Sequence, residues 1–275
     1  MFNMNWLLAM RPKTLTAAIG PILIGTALAY KDGYFSGLYL GLTLLNALLI
    51  QIATNLCNDY YDFVKGADTF ERVGPMRVTQ AGLIAPEKVK AAFIVVFGLA
   101  ACVGVLLVLR GGWPIVLIGI ASILSGLAYT AGPYALAYLG LGELFVLIFF
   151  GPIAVAGTYY VQTLNFSWPA CIAGIAMGLL SCAILAVNNL RDLEQDKKAH
   201  KKTLAVRFGQ NFANFEYVFC LLVPALIAFL MHAWAASLVI VSGLLLMRKS
   251  SLDKLLPQTA LLGLIFAIIL AIQLA

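Results

Sequence analysis

Long apolar runs broken by short polar stretches set the pattern of this chain. Runs near 14–30, 36–57, 91–109, 113–131, 139–160, 168–189, 214–231, 233–247 and 257–274 approach the roughly 20 apolar residues that carry a helix across a bilayer. The pattern therefore predicts an all-α, polytopic membrane bundle of about nine transmembrane helices, forming one domain over residues 1–275. Most breaks are short, as suits antiparallel neighbours. Two are long, 59–90 and 191–213, and are expected to build a cytoplasmic cap over a central cavity. No tight repeat period is present, which excludes a solenoid.

Composition agrees with the pattern. Hydrophobic residues make up 62% of the chain and charged residues 11%, against about 25% charged in ordinary soluble domains. Placing the N-terminus in the cytoplasm puts 16 of the 18 basic residues on that side, leaving only Lys31 and Arg110 opposite. This positive-inside bias sets the C-terminus outside. The net charge of +6 is thus mainly a topology signal. Bases that flank apolar segments, with no basic domain among them, speak against nucleic-acid binding. The segment holding Arg11 and Lys13 precedes a membrane-length run and is not expected to be a cleaved leader. Cys57, Cys102, Cys171, Cys182 and Cys220 lie scattered in apolar segments and read as small core residues.

Two polar clusters stand out at the ends of apolar runs. The first holds Asn55, Asn58, Asp59, Asp62 and Asp68; the second holds Asn188, Asn189, Asp192, Glu194 and Asp196. With Glu71 they contain seven of the twelve acidic residues. Asn58 and Asp62 are four apart, and Asn188, Asp192 and Asp196 are spaced four and four, so each set shares a helix face. Carboxylate and amide oxygens suit Mg²⁺, which takes a few carboxylates plus phosphate oxygens. Asn58, Asp59, Asp62, Asp68, Asn188, Asp192 and Asp196 are the candidate metal ligands, with Asp62, Asp192 and Asp196 expected to be essential to catalysis. Acids at helix ends are also common as plain solvated caps, and Glu143, opening an apolar run, is ambiguous on this count.

Asn58-Asp59-Tyr60-Tyr61-Asp62 with Lys65-Gly66-Ala67-Asp68 resembles the first aspartate-rich motif of the UbiA superfamily of intramembrane prenyltransferases. Asp192-Leu193-Glu194-Gln195-Asp196 resembles the second. Further matches are similar to the branch that prenylates 1,4-dihydroxy-2-naphthoate: Arg11-Pro12-Lys13-Thr14, Gly74-Pro75-Met76-Arg77, Gly140-Leu141-Gly142-Glu143, Gly157-Thr158-Tyr159-Tyr160, Asn188-Asn189-Leu190-Arg191-Asp192 and Lys202-Thr203-Leu204-Ala205-Val206-Arg207. The resemblance covers nearly the whole chain. Asp62 and Asp68 are six apart where many members have four, which bears on Asp68 as a ligand. Ala131 replaces a glycine often found before Gly132-Pro133 and bears on packing.

The resemblance implies an Mg²⁺-dependent enzyme of the bacterial cytoplasmic (inner) membrane, its site facing the cytoplasm. It would move a polyprenyl group from polyprenyl diphosphate to 1,4-dihydroxy-2-naphthoate, with loss of diphosphate and CO₂, in menaquinone biosynthesis. Residue chemistry points the same way, since a charged head with a lipid tail needs a hydrated cation site above an apolar tunnel. Lys65, Arg72, Arg77 and Lys201 are candidates for the diphosphate, although topology charge alone also accounts for them. Tyr61, Tyr129 and Tyr159 are candidates for the pocket wall, where aromatic faces stabilise an allylic cation; tyrosines at helix ends also serve as interfacial anchors. Two alternatives stay open: a prenyltransferase for another aromatic acceptor such as 4-hydroxybenzoate, and a secondary transporter.

Overall fold

The computed structural model describes residues 4–67, 74, 76–247 and 250–275. Asp68 and Arg72, named above, lie outside the described residues. A short helix α1 (Met4–Met10) leads into α2 (Pro12–Lys31), α3 (Gly37–Val64), α4 (Pro86–Gly111) and α5 (Trp113–Ala128). Then follow α6 (Gly142–Phe149), α7 (Pro152–Thr163) and α8 (Trp168–Arg191), and the short α9 (Leu193–Lys198) and α10 (Leu204–Phe208). The chain closes with α11 (Gln210–Leu230), α12 (Trp234–Met247) and α13 (Leu252–Leu274). Proline stands in the first turn of α2, α4, α5, α7 and α8, where its missing N–H breaks no helical bond. Ser167 caps α8 by accepting from the Ala170 N–H at 3.2 Å.

Each of the nine apolar runs is helical, but they are not equivalent. Seven candidate spans are long and apolar enough to cross a membrane, while α5 and α12 have 16 and 14 residues. At 1.5 Å per residue these two reach only about 21–24 Å, short of the roughly 30 Å hydrocarbon core. The run 139–160, expected to be one rod, is broken into α6 and α7. Gly151 sits at the break against α8, where an added Cβ would meet the Gly174 carbonyl oxygen at 2.7 Å. Backbone contact this close lets α6 and α7 pack on α8, the most enclosed span, with 72% of its apolar window buried.

The apolar core gathers α2, α7, α8, α11, α12 and α13, with Ile24, Val155, Leu180, Leu221, Ile240 and Phe266 fully buried. A second cluster of Leu56, Val89, Phe93 and Phe97 joins α3 to α4. Hydrogen bonds identify the two ends of the bundle. At one end, Lys65 Nζ donates to the Thr130 and Gly132 carbonyls, and the Lys202 N–H donates to the Tyr138 carbonyl. At the other, Tyr159 donates to Asp32, and Arg110 donates to the Val161 and Gln162 carbonyls. Both acid clusters lie at the first end. The cap there includes α9, α10 and the turns around 78–84, as expected, and also the connection 129–141, which its sequence did not suggest.

Candidate active site

Between α2, α3, α4, α5, α6, α7 and α8 lies a cavity of about 760 Å³. Its far end is lined by Leu107, Ile115 and Val161, and its near end by Asn58, Asp62, Asn188, Asp192 and Asp196. The two clusters, about 130 residues apart in sequence, thus face one space. α3 brings the first set because it stays helical to Val64, and α8 brings the second. α8 ends at Arg191, and the turn at Asp192 (φ −91°, ψ 8°) aims α9 back across the cavity mouth.

Asp62 is 3% exposed and meets three side chains. Its Oδ1 accepts from Tyr138 Oη at 3.0 Å and lies 3.2 Å from Lys201 Nζ; its Oδ2 lies 3.6 Å from Arg77 Nη2. Arg77 and Lys201, both expected at the diphosphate, therefore converge on Asp62 and line the cavity. Asn58 Oδ1 accepts from Thr130 Oγ1 at 2.7 Å. In the second cluster Arg191 binds Asp192 through two nitrogens, at 2.7 and 2.8 Å, and reaches Asn188 Oδ1 at 2.8 Å. Asp196 is 7% exposed and lines the same space.

Four of the expected site residues are placed elsewhere. Asp59 turns from the cavity and accepts from the backbone N–H groups of Val78 and Thr79, at 3.3 and 3.1 Å, so both its oxygens hold the cap turn. Lys65 gives its ammonium to two loop carbonyls at 2.7 and 2.8 Å, and burial pulls its pKa below the ordinary lysine value. Its work is to bind the 130–132 segment to the end of α3. Tyr61 packs on Tyr60 and Phe93 on the flank of the bundle. Tyr159 sits at the opposite end, hydrogen-bonded to Asp32 at 2.6 Å. Of the three tyrosines only Tyr129 lines the cavity; burial raises its pKa above the usual phenol value.

Several participants were not singled out by spacing. Tyr138 donates to Asp62 while its ring carries Lys65 and Lys201 at 4.4 and 4.9 Å. A tyrosine in a loop gives no such signal, because the contact is made by tertiary folding. Arg191 was read as a topology charge, although its place beside Asp192 in the second motif was a usable hint. Asn189 donates to Glu143 Oε1 at 2.7 Å, which resolves the ambiguous Glu143 as a buried partner of α8.

The donor set around the mouth is made of carboxylate and amide oxygens, the chemistry of a hard divalent cation. Among the described residues, no three acidic, histidine or cysteine side chains are grouped closely enough to hold an ion alone. The arrangement fits a cation whose shell is completed by phosphate oxygens, as Mg²⁺ commonly requires.

The sequence profile of the UbiA prenyltransferase family matches residues 18–259. A 1,4-dihydroxy-2-naphthoate octaprenyltransferase of Escherichia coli is 40% identical over 228 residues, covering 81% of this chain and 74% of that protein. The Haemophilus influenzae protein of the same name is 40% identical over 229 residues, covering 80% and 74%. The fold matches a UbiA homologue from Archaeoglobus fulgidus, solved with DMAPP and Mg²⁺, at a TM-score of 0.70 and 16% identity, over 98% of each chain. The profile encloses both oxygen-donor clusters and the helices that bring them to one cavity, and the chain belongs to the UbiA prenyltransferase family.

Proposed function

We propose that this protein is an integral membrane 1,4-dihydroxy-2-naphthoate polyprenyltransferase of menaquinone biosynthesis, using Mg²⁺ and a polyprenyl diphosphate. The observation that carries the reading is the meeting of two oxygen-donor clusters, with Arg77, Arg191 and Lys201 among them, at the mouth of one apolar cavity. The activity named for relatives 40% identical over four-fifths of the chain supports the same acceptor. A secondary transporter has no need of this grouping, since its ionisable residues gather near the bilayer midplane.

Asp62, Asp192 and Asp196, with Asn58 and Asn188, would hold the metal, and Asp68 falls in the same sequence motif. Mg²⁺ bound there supplies Lewis-acid charge to the departing diphosphate. Arg77 and Lys201 already stand on Asp62. They are placed to move onto phosphate oxygens by charge-assisted hydrogen bonds, and Arg72 is proposed beside them from its sequence position. The apolar walls toward Leu107, Ile115 and Val161 take the tail. Tyr129 presents an aromatic surface to the charge left on the allylic carbon.

The chemistry balances without an added proton. The C–O bond of the prenyl diphosphate breaks, and its electron pair leaves with the diphosphate. The acceptor ring forms the new C–C bond at the carbon bearing its carboxylate. CO₂ then departs, and the pair of that bond restores the aromatic ring. The concentration of basic residues at the same end as the site supports a cytoplasmic orientation.

The test is direct. Purified protein with Mg²⁺ and one polyprenyl diphosphate is offered 1,4-dihydroxy-2-naphthoate or 4-hydroxybenzoate, and products and CO₂ are measured. Prenylation of the naphthoate with release of CO₂ is expected. Faster prenylation of 4-hydroxybenzoate, with its carboxylate kept, would overturn the acceptor and leave the prenyltransferase reading standing.

A further inference from the structure

Asn188 and Asn189 are neighbours with separate tasks. On α8 consecutive side chains diverge by roughly 100°. Asn188 joins Arg191 at 2.8 Å, on the metal side. Asn189 turns to the first turn of α6, where its Nδ2 donates to Glu143 Oε1 at 2.7 Å. Asn189 is 6% exposed and Glu143 9%. A carboxylate buried at this helix start calls for a hydrogen-bond partner. A second link, from Cys182 Sγ to the Glu143 carbonyl oxygen at 3.2 Å, holds the start of α6 on α8.

We propose that Asn189 is a positioning residue for the aromatic acceptor, its side-chain carbonyl oxygen accepting a hydrogen bond from a ring hydroxyl, and that Glu143 fixes the amide in that orientation. The inference rests on the acceptor being a hydroxylated aromatic acid, as argued above. In this pair the Asn189 amide nitrogen is the donor and Glu143 Oε1 the acceptor. That leaves Oδ1 as the end offered to the cavity, which Asn189 lines and Glu143 does not.

The surroundings suit a flat ring. Phe145 lines the same wall and stacks on Phe149, with centroids 6.1 Å apart and planes at 10°. The Tyr129 hydroxyl lies close to Gly142, where an added Cβ would come within 3.1 Å of it. Asn189 lines the cavity together with Phe145, Asp192 and Asp196, so the slot adjoins both the diphosphate site and the aromatic wall. A hydrogen bond drawn from the ring hydroxyl gives its oxygen phenolate character. That enriches the ring carbon which must attack.

Wild type, Asn189→Ala, Glu143→Gln and the double variant are compared as purified proteins in nanodiscs with Mg²⁺. Acceptor kcat/KM is measured with 1,4-dihydroxy-2-naphthoate, and prenyl diphosphate binding by calorimetry. Asn189→Ala is expected to lower acceptor kcat/KM about tenfold or more, the scale of one hydrogen bond, while leaving donor affinity within about twofold. Glu143→Gln, which allows either amide orientation, should give a smaller loss on the acceptor alone. The double variant should be no worse than Asn189→Ala, because Glu143 acts through Asn189. Additive losses, or donor binding weakened as much as acceptor use, would overturn the inference. If Asn189→Ala fails to fold, Glu143→Gln decides by the same acceptor-against-donor comparison. A wild type that prenylates no hydroxylated aromatic defeats the functional reading itself; an active wild type with unmoved variants defeats only this assignment.

Discussion

Arg191 grips its own neighbour Asp192 from two nitrogens, with Nε 2.7 Å from Oδ1 and Nη2 2.8 Å from Oδ2. Consecutive residues of an unbroken helix point about 100° apart and do not face each other. The pair forms because α8 ends between them, and the turn at Asp192 folds its carboxylate back under the guanidinium. Both side chains are nearly buried, at 5% and 6% exposure. The same guanidinium reaches Asn188, so one arginine organises the second cluster.

Replacing Arg191 with Lys keeps the charge and loses this two-point geometry, which a single ammonium cannot reproduce. We expect kcat/KM to fall by roughly 10- to 100-fold, the equivalent of one or two charged hydrogen bonds. Steady-state kinetics across a magnesium titration checks it, and activity equal to wild type at every concentration would reject the role.

Asp62→Ala and Asp192→Ala remove the acids at which the two clusters meet the basic residues. Each variant should insert normally and lose on the order of 10³-fold or more in turnover, since each removes a proposed ligand of the cation that neutralises the departing diphosphate. Turnover retained at low magnesium would refute the assignment.

Asp59 was expected to share the metal, but it holds the Val78 and Thr79 N–H groups. Asp59→Ala leaves two buried donors unpaired, and roughly 1–3 kcal/mol of stability should be lost for each. Thermal unfolding in detergent should shift downward. Asp59→Asn, which retains one acceptor oxygen, should recover part of the shift with no change in the magnesium concentration needed. A raised magnesium requirement in Asp59→Asn would return this residue to the metal set.

Gly174 permits the contact of α8 with the start of α7. A Cβ there would meet Pro152 Cα at 2.7 Å and Pro152 N at 2.8 Å, both backbone atoms that cannot rotate away. Gly174→Ala should therefore cost about 1–3 kcal/mol, the range for overpacking a fitted core. Lower yield of monodisperse protein and a lower melting temperature are the readouts. Gly119→Ala, with open space around its Cβ, is the control.

Cysteines introduced at the exposed Lys88 and Lys198 of a cysteine-free background should be labelled only from the cytoplasmic face, and one at Lys31 only from the other. The hydrogen bonds that tie the ends of α3, α5 and α8 into one cap demand that the first two agree. Labelling of Lys88 and Lys198 from opposite faces would dismantle the shared site.

Apolar period and length were enough to locate all nine hydrophobic segments, because a helix in lipid must satisfy its own backbone and its residues must be apolar throughout. The spacing of Asn58 with Asp62, and of Asn188 with Asp192 and Asp196, likewise followed from helical geometry alone. The break at Gly151 had a signal in the Gly151-Pro152 pair, but the close seat of that break on α8 depends on the backbone standing against it. The separate fates of Asp59 and Asp62, three residues apart on one helix, were not legible. One meets the cap turn and the other meets Tyr138, Arg77 and Lys201, and which neighbour each finds is set by segments distant in sequence. Local pattern determined which side chains share a face. Only tertiary packing decided what that face meets.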